Sequence, residues 1–214
     1  MAVAAAFLVG TVAGLIGGAM ATLGAYLGSK MLLCLGTFVL GIMNLLMTAT
    51  PLAMGICGHP YNDAANVISA HVIAMFAPSF FTGNLIKRFG VLQIMITGVA
   101  IMCVRLAVSL SGVSVAHFWW SLVLLGPGWN LMYVGGSTLL TDCYQPAEKA
   151  RAQGLHDLLV FTTTATSSFA SGLLLKANGW DMLNYVAMPF LLMAGVSTLW
   201  LLMSGRRRAT SASG

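Results

Sequence analysis

Apolar stretches of about 20 residues, each long enough to cross roughly 30 Å of hydrocarbon, follow one another along almost the whole of this 214-residue chain. Lys and Arg fall almost entirely in alternate gaps between them. The composition agrees: 58% of residues are hydrophobic and 7% charged, with a mean hydropathy of +0.90. Soluble domains carry about 25% charged residues, and a water-soluble fold of this size has too little interior to hide so much apolar surface. The expected fold class is therefore an all-α polytopic integral membrane protein whose surroundings are a lipid bilayer.

The apolar runs place about seven transmembrane helices at approximately 3–27, 31–56, 64–82, 91–110, 117–140, 155–175 and 183–203. Turn-forming residues fill the gaps: Gly28-Ser29, Gly58-His59-Pro60, Ser111-Gly112 and Asn178-Gly179. Gly126-Pro127-Gly128 falls inside the fifth run and is read as a kink, because neighbouring helices in a bundle can re-satisfy backbone groups that a proline frees. Pro51 is a similar hinge candidate in the second run.

Orientation follows from the Lys and Arg bias of short loops. One side collects Lys30, Lys87, Arg88, Lys149, Arg151, Arg206, Arg207 and Arg208, and the other holds only Lys176. The basic side is expected to be cytoplasmic, which puts the C-terminus there, with residues 206–214 as a cytoplasmic tail. With seven spans the N-terminus lies outside; with six it lies inside. The net charge of +5 is accounted for by these loops and calls for no nucleic acid, while basic residues beside a membrane suit anionic headgroups. Met1–Gly28 has no basic n-region and too long an apolar run for a signal peptide, so it is read as a membrane helix. Its Gly10, Gly14 and Gly18 form small-xxx-small steps that allow close helix packing. The cysteines at 34, 57, 103 and 143 show neither metal-ligand nor disulfide spacing, and nothing in the sequence implies a metal or a cofactor.

Ionisable and amide groups inside apolar runs are costly and usually face a bundle interior or a watery cavity. His71 lies near the middle of the third run. It is either a substrate contact or proton carrier, given an imidazole pKa near roughly 6.5, or a histidine hydrogen-bonded to a neighbouring helix. Arg105, in the fourth run, is an intramembrane charge that either serves the interior or snorkels to the interface. In the fifth run Asn130 and Tyr133 are three apart, and Trp129 precedes Tyr133 by four. That spacing suggests an aromatic and amide wall beside the kink. Asn44 in the second run is a candidate for the same cavity. Thr162–Thr164 with Ser167-Ser168 reads as packing glue, and His156-Asp157 as a helix start, where a carboxylate is favoured by the dipole.

Two loops on the basic side carry a resemblance. Gly83-Asn84-Leu85-Ile86-Lys87-Arg88-Phe89-Gly90 resembles the signature G-x-x-x-D-R-x-G-R-R of the major facilitator superfamily through Gly83, Arg88 and Gly90. Lys87 stands in place of the Asp, and Val91-Leu92 in place of the final basic pair. Pro146, Glu148, Arg151 and Gly154 match the P-x-E-x-x-R-x-x-G loop before the eleventh helix of such transporters. Residues 43–205 as a whole are similar to the C-terminal six-helix half of a bacterial permease. Residues 1–42 look like helices of the first half, as though the N-terminal half were truncated or rearranged.

The resemblance implies a multi-pass permease of the bacterial inner membrane, moving a small organic solute by alternating access and driven by protons. Asn44, His71, Trp129, Asn130 and Tyr133 would line its cavity, and Gly83, Arg88, Gly90, Glu148, Arg151 and Asp157 would form its cytoplasmic gating loops. Since a complete transporter has two lobes, transport would need self-association or a missing lobe. The alternative is a non-transporting membrane scaffold or an inactive permease remnant. An enzyme is not expected: Ser137, in Gly135-Gly136-Ser137-Thr138, lacks a following Gly and an evident base.

Overall fold

The computed structural model describes residues 30–142 and 149–211, which are helical apart from short turns. The helices are α1 (Lys30–Ile56), α2 (Tyr61–Phe76), α3 (Ser79–Phe89), α4 (Val91–Leu110), α5 (Val115–Asp142) and α6 (Lys149–Ser211). The first apolar run and its glycine steps lie outside the described residues. Two stretches among those described, Tyr61–Phe89 and Val91–Leu110, are long and apolar enough to cross a membrane by length and composition, and Met43–Ile56 is a shorter apolar helix.

The run at 91–110 coincides with α4, and those at 31–56 and 117–140 fall within α1 and α5. Both α1 and α5 continue as helix through their prolines, Pro51 and Pro127. The sixth and seventh runs both lie within α6, which is divided at Gly179. Its φ of 76° and ψ of −176° belong to a backbone region open essentially to glycine alone. The third run departs from expectation. At Ala77-Pro78 the regular ladder stops between α2 and α3, although both residues keep helical torsions and the two helices extend each other. Proline has no N–H to offer the preceding turn, a defect that hydropathy does not register.

Packing explains how so apolar a chain stays ordered. α1 lies mainly against α6 and α5, α4 against α5, and α2 against α5, while α3 touches its neighbours only lightly. The interior holds Leu46, Ala49 and Met54 of α1, Leu122 and Leu125 of α5, and Leu174 and Leu183 of α6. The outside is equally apolar, with Ile73, Phe76, Phe80, Phe81, Phe161, Phe169 and Val196 exposed. Helices apolar on every side suit lipid, where association depends on close packing and hydrogen bonds because burial from water offers no drive.

That close packing is concentrated on α5. A Cβ at Gly126 would lie 2.7 Å from the backbone N of Met75 and 2.8 Å from the carbonyl carbon of Ala74. On the other side of the proline, a Cβ at Gly128 would meet the Met102 side chain at 2.9 Å and the Gly98 carbonyl at 3.3 Å. Gly-Pro-Gly therefore lets α5 approach α2 through one glycine and α4 through the other.

Candidate functional site

α5 meets α2 and α3 along a stripe repeating every fourth residue, at Leu122, Gly126 and Asn130. At its first position His71 Nδ1 donates to the Leu122 carbonyl at 2.8 Å, with the side chain 0% exposed. Because a carbonyl can only accept, Nδ1 carries the hydrogen. The other ring nitrogen, Nε2, is buried without a partner among the described residues. Gly126 follows against Ala74 and Met75. Asn130 then spans the Pro78 interruption: its Nδ2 donates to the Met75 carbonyl at 3.1 Å and to Ser79 Oγ at 2.6 Å. The Thr82 hydroxyl is shared between Asn130 Oδ1 at 2.9 Å and the Pro78 carbonyl at 2.8 Å. A side-chain amide on α5 thus supplies hydrogen bonds where the proline stops the ladder of its neighbour.

This arrangement gives a direct prediction. Asn130→Leu removes every one of these ties and leaves Ser79 and the Met75 carbonyl without their α5 donor. We expect a loss of about 1–3 kcal/mol, read as a lower midpoint for heat-induced loss of the monodisperse protein in detergent. A midpoint unchanged from the parent would refute the role.

The structure separates Asn130 from the two rings that the spacing grouped with it. Trp129 and Tyr133 stack on each other, with centroids 4.8 Å apart and planes 8° from parallel. Both are half-buried, and Trp129 Nε1 is buried without a partner among the described residues. Asn44 lies elsewhere, joining α1 to α6: its Nδ2 donates to the Thr164 carbonyl at 2.8 Å and to Ser168 Oγ at 2.6 Å. The Thr and Ser run of α6 is the partner of this amide. Thr163 Oγ1, in the same run, is buried and has no partner among the described residues.

Arg105 does not snorkel. It is 2% exposed and held by neutral groups from three helices. Nε donates to Ser121 Oγ of α5 at 3.0 Å. Nη2 donates to Asn184 Oδ1 of α6 at 2.7 Å and to Ser109 Oγ of its own helix at 3.3 Å. The Ser109 hydroxyl also donates to Asn184 Oδ1 at 3.0 Å. Trp180 Nε1 donates to the Ser109 carbonyl at 3.3 Å, and Phe118 packs between Trp180 and His59. His59 Nε2 in turn donates to the Val113 carbonyl at 2.8 Å. The result is a polar knot beneath an aromatic cap, at the end of the bundle that carries the 57–60 and 111–114 turns. Ser109 was foreseeable at i+4 from Arg105. Ser121, Asn184 and Trp180 carried no local signal.

At the opposite end, Lys87 and Arg88 occupy the last turn of α3, where the helix dipole favours cations, and Arg88 lies 5.3 Å from the centre of the Phe89 ring. Gly90 has φ 88°, a left-handed value that favours glycine; this accounts for one glycine of the signature. Gly83 is exposed, and a Cβ there would meet nothing within 4 Å, so packing gives no reason for it. Glu148 lies outside the described residues, as do the side chains of Arg151 and Asp157.

Comparison with known proteins supplies the family. The riboflavin transporter RfnT of Brucella anthropi is 45% identical over 148 residues, which are 69% of this chain and 37% of that protein. The uncharacterized MFS-type transporter YddS of Bacillus subtilis is 32% identical over 67% of this chain and 33% of its own length. The tetracenomycin C resistance and export protein of Streptomyces glaucescens is 30% identical over 67% of this chain and 27% of its own length. No protein-family model and no solved structure matches. The chain spans about a third of the length of the curated relatives it matches. Its apolar helices, its polar groups buried inside them and these relatives agree, and the chain belongs to the major facilitator superfamily of membrane transporters.

Proposed function

We propose that this chain forms one lobe of a proton-driven permease that moves a small organic solute across the bacterial inner membrane by alternating access. In this reading about seven helices span the bilayer, with residues 43–205 as the C-terminal-half bundle and 1–42 as a segment of first-half type. Residues 206–214 are a cytoplasmic tail. A second lobe comes from another copy or from a partner segment, because alternating access rocks two repeats around a site between them. Asn44, His71, Trp129, Asn130 and Tyr133 serve the cavity side, while Gly83, Arg88, Gly90, Glu148, Arg151 and Asp157 serve the cytoplasmic loops.

The observation that carries the reading is the 45% identity to a protein named as a riboflavin transporter. That name makes riboflavin the first solute to test. His71 supports the proton-coupled part as an imidazole within the helices whose Nε2 has no partner among the described residues.

Purified chain is reconstituted into proteoliposomes across a range of protein densities, and riboflavin flux is followed with and without an imposed proton gradient. The expected result is gradient-dependent flux that rises with density as lobes associate and collapses on adding a protonophore. Absence of flux of any tested organic solute, at every density, would instead favour a scaffold.

A further inference from the structure

We infer that the basic end of α3 is a docking site for one anionic phospholipid, its headgroup at Lys87 and Arg88 and an acyl chain along Phe80 and Phe81. Residues seven apart in a helix return to nearly the same face after two turns. Phe80 therefore shares a face with Lys87, and Phe81 with Arg88, each ring lying about 10 Å before its cation along the axis. Thr82, bonded to Asn130 and fully buried, marks the packed side of the helix. The rings are turned out of that side: Phe80 is 83% exposed and Phe81 66%. Lys87 and Arg88 are exposed as well. Two rows that run from an aromatic ring to a cation match the outline of a lipid, hydrocarbon first and charged headgroup at the surface.

Charge decides which headgroup. The described residues give neither cation an acidic partner, and Arg88 has only the Phe89 ring beside it. Of the carboxylates whose side chains are described, Asp63 lies in the first turn of α2 and Asp181 follows the Gly179 break, both at the other end of the bundle. Where the signature has an acid beside its Arg, this chain has Lys87, so two neighbouring cations replace a pair of opposite charge. A second lobe is the competing occupant of this face. Its loops at the same end are basic too under the same loop bias. Like charge then opposes its closing over Lys87 and Arg88, whereas a phosphodiester is drawn to them.

The test is lipid retention by the full purified chain, titrated in neutral detergent and read by native mass spectrometry. Probes are dioleoylphosphatidylglycerol, dioleoylphosphatidylcholine with the same chains and no net charge, and glycerol phosphate as the chain-free anion. The parent should hold its first phosphatidylglycerol more tightly than phosphatidylcholine, by about fivefold for each cation, and added salt should narrow the difference. Lys87→Gln and Arg88→Gln are each expected to lose about fivefold, and the double variant most of the preference. Lys176→Gln, which removes a charge at the other end, should leave the preference intact. Glycerol phosphate should not displace the lipid. The inference is overturned if the double variant keeps the parent's preference, if Lys176→Gln loses as much as the double variant does, or if glycerol phosphate displaces the lipid. A dimer that excludes both lipids would show a second copy on this face and overturn it equally. Transport does not enter the outcome: a lobe that moves no solute would retain the same lipid.

Discussion

Gly126→Ala is expected to be among the most damaging single-methyl additions to this protein. The new Cβ would sit 2.7 Å from the Met75 backbone N, 2.8 Å from the Ala74 carbonyl carbon and 3.1 Å from its oxygen. All three are main-chain atoms, so relief requires α2 and α5 to move apart, and the His71 and Asn130 contacts on either side stretch with them. Overpacking of this kind costs about 1–3 kcal/mol, occasionally more. Gly135→Ala meets an even shorter distance, 2.5 Å, but to the Cγ of Met95. Relief there needs the whole Met95 side chain, itself 1% exposed, to turn about χ1, but no main-chain atom has to move, so the cost should be the smaller of the two. Gly136→Ala meets nothing within 4 Å and exchanges a poor helix former for a good one, worth up to about 1 kcal/mol in favour of the variant. Thermal midpoints in detergent should therefore rank Gly136→Ala highest, Gly135→Ala next and Gly126→Ala lowest. Equal midpoints for Gly126→Ala and Gly136→Ala would show that α2 and α5 do not approach as closely as described.

The same glycines show how far local signals reach. Helix limits were legible at Gly90 and Gly179, where a turn residue coincides with a break in hydropathy, but not at Gly83, where the expected loop 83–90 is helical to Phe89. Pro78 was missed because the apolar run passes straight through it, and only the absent N–H marks the interruption. His71 and Arg105 stood out as ionisable groups in apolar surroundings, yet nothing local to either pointed to the distant partners. Leu122 lies 51 positions from His71 and Asn184 lies 79 from Arg105, so those pairings are products of tertiary packing. Asn130 and Tyr133 illustrate a finer point, that a shared spacing does not say what each side chain touches. A spacing of three leaves side chains about 60° apart around a helix. That angle is enough for α2 and α3 to take Asn130 while Tyr133 turns to stack on Trp129. The signature-like loop divides in a similar way: Gly90 has a conformational reason that the structure displays, and Gly83 has none among the described residues.

Asn184→Leu and Arg105→Met should differ sharply although both dismantle the same contact. A buried cation tolerates loss of an acceptor poorly, because the charge remains while its compensation is removed. Asn184→Leu takes away the 2.7 Å acceptor and leaves the guanidinium with serine hydroxyls alone, at an expected cost of about 3 kcal/mol. Arg105→Met removes the charge itself. Ser109 can still donate to Asn184 Oδ1 as it already does, and the Ser121 hydroxyl can turn to its own helix. That loss should stay within about 1.5 kcal/mol. The double variant is then expected to match Arg105→Met closely, because Asn184 no longer has a charge to satisfy. Thermal midpoints of the parent, both singles and the double complete the cycle. Should Arg105→Met be the more damaging single, the cation would itself be binding α4, α5 and α6 together, and the neutral knot around it would be a source of stability rather than a means of tolerating a charge in lipid.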